Sequence, residues 1–155
     1  RYVTTVANSG TCYDLTLIDQ VKDVNGNVIL DNHAKVRNKV NIANSTWKAV
    51  HNGMYRVVNG SRSSIGSMFS GMKVKIAGKT GTAQQSKLHA NHAYFVSYAP
   101  YKNPEISVTC VIPNGFTSSN AAQTARDVYK YYFSKNKKKV SGKIKMPESN
   151  TTHTD

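Results

Sequence analysis

Lys79-Thr80-Gly81-Thr82-Ala83-Gln84 places an ammonium, two hydroxyls and a bare backbone position within a few residues of one another. These groups suit an anionic ligand, above all a carboxylate. Lys79 supplies charge, and Thr80 and Thr82 supply short, stiff hydroxyl donors. Gly81 has no side chain to keep a ligand away from the backbone. The preceding Val74-Lys75-Ile76-Ala77-Gly78 alternates apolar and polar side chains, so the stretch belongs to a strand. Such a strand grips an anion but holds no activated nucleophile. Chemistry beyond binding needs an attacking group from elsewhere.

The elements that must position this stretch follow from periodicity and turn residues. The pattern predicts strands over 74–84, 93–99 and 105–112, the last two joined by the tight Pro100-Tyr101-Lys102-Asn103-Pro104 connection. In the third strand Ile106, Val108, Cys110 and Ile112 share a face, and Cys110 reads as a core residue. Ser119 or Asn120 then caps a final helix whose apolar stripe is Ala122, Ala125, Val128, Tyr129, Tyr132 and Phe133. Upstream, Tyr2 to Ala7 reads as the end of a helix stopped by Asn8-Ser9-Gly10. A strand over Leu15 to Asp19 continues toward Val21. Asn25-Gly26 makes a tight primed turn, and Val28-Ile29-Leu30 returns. The acidic and amide residues around that turn lack the ligand series of a calcium loop. Ser45 caps a helix from Thr46 to Asn59, with Trp47, Val50, Met54, Val57 and Val58 on one face and Gly60 ending it. Residues 60–71 read as a loop. The sum is an α+β fold, an antiparallel sheet with covering helices.

Composition sets the outer bounds. The chain has 155 residues, 39% hydrophobic and 19% charged, as a folded domain should. Its net charge of +13 is unusual. Much of it lies in Lys135, Lys137, Lys138, Lys139, Lys143 and Lys145, so residues 135–155 read as a basic, flexible, solvated tail. A basic binding module for an anionic polymer is the competing class. Nucleic acid is not expected as a partner, because the lysines concentrate in the tail and the aromatic residues fall on core-facing stripes. No run approaches the ~20 apolar residues of a membrane span. Two distant cysteines, Cys12 and Cys110, make no disulfide scaffold. The chain opens at Arg1 within a helical pattern, as an internal fragment does.

The strand–KTGT–strand–turn–strand–helix order resembles the C-terminal part of the transpeptidase domain of class B penicillin-binding proteins, closest to those of Gram-positive, clostridia-like bacteria. The carrying residues are Ala77 to Gln84, the run His92-Ala93-Tyr94-Phe95-Val96-Ser97-Tyr98-Ala99-Pro100, and Pro104 to Val108. Ala7 to Gly10 and the helix from Trp47 to Val58 match as well. The resemblance covers residues 1–134 and implies the β-lactamase/transpeptidase-like fold, incomplete here. It implies a serine D,D-transpeptidase that cross-links peptidoglycan through an acyl-enzyme, with β-lactams imitating the D-Ala-D-Ala end. Carboxypeptidase and serine β-lactamase are sister activities on this fold.

That family works with Ser-x-x-Lys, Ser-x-Asn and Lys-Thr-Gly. The resemblance assigns the third to Lys79, Thr80 and Gly81, with Thr82 giving an oxyanion-hole N–H. Lys79 and Thr82 are the catalytic candidates, and Lys79, Thr80, Gly81 and Thr82 the substrate-binding ones. The first two motifs are expected in an N-terminal half of the same protein, which also carries an anchor to the extracytoplasmic face of the membrane. Ser45-Thr46-Trp47-Lys48 fits the nucleophile pattern but stands too close to the KTGT strand to leave room for the family's helical subdomain. Ser118-Ser119-Asn120 fits the second motif in the wrong order. Catalysis of this kind needs no cofactor. A structural zinc is a separate candidate, drawn from Cys12, Asp14, His89 and His92. The alternative is a buried cysteine, an exposed aspartate and loop histidines. His33 and His51 show no evident partners.

Overall fold

The computed structural model describes residues 1–134. The expected basic tail lies outside the described residues. Element order is α1 (Tyr2–Ala7), β1 (Thr11–Tyr13), β2 (Gln20–Lys22), β3 (Val28–Asp31), β4 (Val36–Lys39), α2 (Asn44–Asn59), β5 (Ala77–Ala83), β6 (His92–Ala99), β7 (Ile106–Ile112) and α3 (Ser118–Tyr132). A short 3-10 turn, Gly66–Phe69, interrupts the loop after α2.

The organising unit is a three-stranded antiparallel sheet in the order β5-β6-β7. Its register pairs Ala77 with Tyr98, Thr80 with Phe95 and Thr82 with Ala93. On one face, Phe95, Ala93, Ile76, Phe69, Ile65 and Val58 pack with Ala121, Ala122, Ala125 and Tyr129 of α3. The alanines let the helix approach β6 closely. On the other face, Val3 and Ala7 of α1 meet Ala77 and Tyr98, flanked by Met54 and Tyr55 of α2. Tyr129 donates its hydroxyl to Ser97 Oγ at 2.9 Å, and Ser97 donates to the Val108 carbonyl at 3.3 Å, so both buried hydroxyls are partnered.

Several expectations are corrected. Leu15 to Asp19 forms no strand, although Leu15 and Ile18 are exposed apolar residues that invite one. Instead β1 lies earlier and pairs with β4, an element the sequence did not reveal because all its residues are exposed. The hairpin β2–β3 is present, but its turn is a wider loop whose Asp23 accepts from the N–H groups of Asn25 and Asn27. Neither Ser45 nor Ser119 nor Asn120 caps a helix. Ala43 and Thr117 hold those positions without side-chain capping bonds. Gly60 does end α2, in extended rather than left-handed backbone, where a Cβ would stand 2.6 Å from the Arg56 carbonyl oxygen. Val50 and Val128 are exposed, and Ala121 takes the place in the core that the α3 stripe gave to Val128. His51 is not without a partner, since its Nε2 lies 2.7 Å from the Val6 carbonyl oxygen. His33 Nε2 stands 3.6 Å from Asp31 Oδ2 at the surface.

Candidate active site

The site is built on β5, an edge strand paired with β6 on one side and with no strand on the other among the described residues. An unpaired edge can accept a further extended segment through its backbone groups. Strand alternation sends Lys79 and Gly81 to the face of α1, and Thr80 and Thr82 to the face of α3. Lys79 is exposed and turns back along its own strand, its Nζ donating to the Thr80 carbonyl at 2.7 Å. That bond is local and leaves the ammonium two further protons to offer.

Thr82 is tied to the last helix. The Ser118 N–H, in the first turn of α3, donates to Thr82 Oγ1 at 3.2 Å. The hydroxyl proton of Thr82 stays available to an incoming acceptor, and the positive end of a fifteen-residue helix stands beside it. No acidic residue occupies the first turn of α3 to offset that end. Gly81 faces Tyr94, whose Cβ would lie 3.3 Å from a Cβ placed at 81. Gly78 is tighter, with Phe95 Cζ only 2.5 Å from such an atom.

Thr80 borders a hollow of about 820 Å³ between β5 and the end of α2. Its other walls include Arg56, Arg62, Ser61, Ser63 and Ser64. The sequence reading missed these residues, because Arg56 falls off the apolar face of its helix and the others lie in a stretch that reads only as loop. They supply positive charge and hydroxyls but no base, because a guanidinium does not take up a proton. Ser63 is further engaged, donating to the Val57 carbonyl and accepting from the Ile65 N–H. The hollow is thus an anion-friendly space with no activated nucleophile. Ser45 is no substitute. It lies in the first turn of α2, about 17 Å up the helix axis from Arg56 at 1.5 Å per residue. Ser118, Ser119 and Asn120 open α3, and Asn120 Nδ2 donates to the Gly115 carbonyl.

The proposed zinc ligands are not brought together. Cys12 sits in β1 opposite Asn38, and Asp14 follows it, 3.5 Å from Arg37 Nη1. His89 is in the β5–β6 loop. His92 opens β6 with both ring nitrogens engaged. Nδ1 accepts from the Asn114 N–H at 2.9 Å, which leaves Nε2 to donate to Gln85 Oε1 at 2.7 Å. Among the described residues no group of three or more His, Cys, Asp or Glu side chains is placed to hold a metal ion. The histidine that looked like a ligand instead ties the loop after β5 to the loop after β7.

Residues 1–130 match the penicillin binding protein transpeptidase domain, and the chain belongs to that family. Its relatives place it with the class B members. It is 40% identical over 103 residues to the peptidoglycan D,D-transpeptidase MrdA of Haemophilus influenzae, covering 57% of this chain and 16% of the relative. It is 33% identical over 144 residues to penicillin-binding protein 2B of Streptococcus pneumoniae, covering 85% of this chain and 21% of that one. The solved structure of penicillin-binding protein 2B from strain R6 superposes with a TM-score of 0.74 at 31% identity, over 87% of this chain and 24% of that one. Penicillin-binding protein A of M. tuberculosis, solved as an imipenem acyl-enzyme, shares the fold with a TM-score of 0.71 at 22% identity, over 83% and 28%. The chain therefore spans about a fifth of the length of the curated relatives it matches.

Proposed function

We propose that this chain supplies the substrate-gripping strand of a peptidoglycan D,D-transpeptidase. The carrying observation is the edge of β5, which has no strand partner on that side among the described residues, carries Lys79, Thr80, Gly81 and Thr82, and borders an open, cationic hollow at Thr80. A stem peptide ending in D-Ala-D-Ala lies along β5 as an added strand. Its terminal carboxylate is held by the Thr80 and Thr82 hydroxyls, which share a face, while the Lys79 ammonium on the other face attracts it through its charge. A serine from the N-terminal half of the same protein attacks the penultimate carbonyl, its proton passing to a lysine of that half. The Thr82 N–H stabilises the oxyanion, a donor of a kind worth ~3 kcal/mol in the transition state. The C–N bond breaks, D-alanine leaves with a proton, and the serine is acylated. An amine from a neighbouring stem then displaces the serine and forms the cross-link. β-Lactams stop at the acyl stage. Residues 1–134 form the C-terminal part of this domain, and 135–155 are a basic extension to it. The complete protein works at the extracytoplasmic face of the membrane, held by an anchor elsewhere in the polypeptide. Among the described residues no helix is long and apolar enough to cross a membrane.

The test is acylation of the complete polypeptide by a fluorescent penicillin. Labelling at a serine outside residues 1–155, lost when Lys79 is replaced by alanine, is the expected result. Labelling at Ser45, or undiminished labelling of Lys79→Ala, overturns the assignment.

A further inference from the structure

At the opposite end of the sheet from Thr82, two smaller hollows lie side by side. One, of about 360 Å³, has Tyr55, Val74, Pro100 and Tyr101 in its walls, with Lys75 and Lys102 beside them. The other, of about 380 Å³, is walled by Met72 and Phe133, with Lys130 beside them. Lys73 borders both. The fold brings these residues together from separate elements. The Tyr101 N–H donates to the Lys75 carbonyl at 2.7 Å, which pins the β6–β7 turn against the entry to β5. α3 starts beside Thr82 and runs back across the sheet, so its last turn and the Phe133 that follows bring Lys130 and Phe133 to the same end.

All four lysines are exposed, none forms an ion pair among the described residues, and no acidic side chain lines either hollow. The surface therefore combines recessed apolar floors with a shared cationic rim. We infer that it binds a linear wall polyanion of the polyol-phosphate type, whose phosphates meet the lysines and whose carbon backbone lies in the hollows. The choice of a wall polymer rests on the extracytoplasmic placement proposed above. Two observations favour it over other polyanionic partners. Tyr55 and Tyr101 pack on each other, with ring centroids 4.6 Å apart and planes at 41°, so they offer edges rather than an open platform for stacking nucleic-acid bases. Both rings are also recessed, whereas a membrane-binding surface must project its apolar groups into the bilayer.

The test uses the complete polypeptide and a defined poly(glycerol phosphate), titrated at low and moderate salt. The wild type is expected to bind with salt-sensitive affinity. Combined Lys73→Gln, Lys75→Gln and Lys102→Gln should weaken binding about tenfold, against less than about twofold for an equal charge change at Lys22, Lys35 and Lys39. Equal losses in both variants, or no binding at low salt, overturn the inference. Equal or tighter binding to phosphatidylglycerol vesicles or duplex DNA overturns the choice of ligand. Penicillin acylation, measured on the same samples, should persist in both variants. If acylation is absent from the wild type while the polymer result holds, the catalytic reading fails and this surface stands.

Discussion

Lys79 is the residue on which the proposed chemistry turns, and its position was legible because a motif tied to a strand end is a local property of sequence. In the complete polypeptide Lys79→Ala should slow penicillin acylation by on the order of a hundredfold, the scale of losing one preorganised electrostatic group; stopped-flow acylation checks this. What sequence could not show is why the residue before it is glycine. Gly78 faces Phe95 and Ser97 across the sheet, and a Cβ there would lie 2.5 Å from Phe95 Cζ and 3.0 Å from Ser97 Cβ. Phe95 is fully buried, with Phe69 at a centroid distance of 5.8 Å, so it has nowhere to go. Gly78→Ala should therefore destabilise the fold by about 1–3 kcal/mol through overpacking. A thermal melt that shows no loss would mean that β6 yields more readily than its packing indicates. The clash depends on register between strands separated in sequence, and no pattern within either strand encodes it. The same holds for His92, whose type invites a metal reading and whose two hydrogen bonds assign it to loop geometry.

At the scale of elements, the three central strands and both long helices were readable because each buries one face, and burial imposes the periodicity that sequence reading detects. Residues 14–42 obey no such constraint. Nearly all of them are exposed, and alternation there carries no information about which segment pairs with which. The β1–β4 pairing was missed and a strand was placed over Leu15 to Asp19. What shapes the β2–β3 loop is hydrogen bonding rather than burial. Asp23 accepts from Asn27 Nδ2 at 2.8 Å, from the Asn27 N–H at 2.8 Å and from the Asn25 N–H at 2.9 Å. Chiefly the Asn27 side-chain bond, then the backbone bonds, hold its carboxyl below the ordinary aspartate range. An acid whose folded pKa is depressed contributes above its unfolded value and loses that contribution as pH falls through the folded one. The loop should stay ordered at neutral pH and loosen at acid pH below about 4, the ordinary aspartate range. Protection of the Asn25 and Asn27 amides, measured relative to intrinsic exchange at each pH, should fall there, and Asp23→Ala should show low protection at every pH. Unchanged exchange in that variant would rule out the carboxylate as the organiser of the loop.

For the whole molecule, two buried phenols set an alkaline limit. Burial pushes Tyr98 up to about 12, and it pushes Tyr129 up as well. Raised phenol pKa values mean that the neutral form is favoured by folding. This stability is complete below the unfolded value near 10 and drains as pH rises through the folded ones. Unfolding should therefore set in above about pH 10, and Tyr129→Phe should move that onset upward even though it also removes the bond to Ser97. The fold class and family were legible at this scale, because a run of matched residues in a fixed element order constrains topology more tightly than any single element does. The attacking group was not, since a serine nucleophile needs a neighbouring base and the described residues offer Thr80 only guanidiniums and unassisted hydroxyls. The chain also leaves Leu17, Val24 and Ile29 largely in solvent while spanning about a fifth of its curated relatives. Both facts lead to one experiment. Residues 1–155 alone, incubated with fluorescent penicillin, should take up no covalent label, because on the proposed reading the lysine–threonine edge holds the β-lactam carboxylate while the ring-opening serine stands in the rest of the polypeptide. Co-expression with the remainder of the polypeptide should restore labelling, on the other piece. Label on residues 1–155 themselves would place the nucleophile within this chain and make the edge of β5 one half of a self-sufficient site.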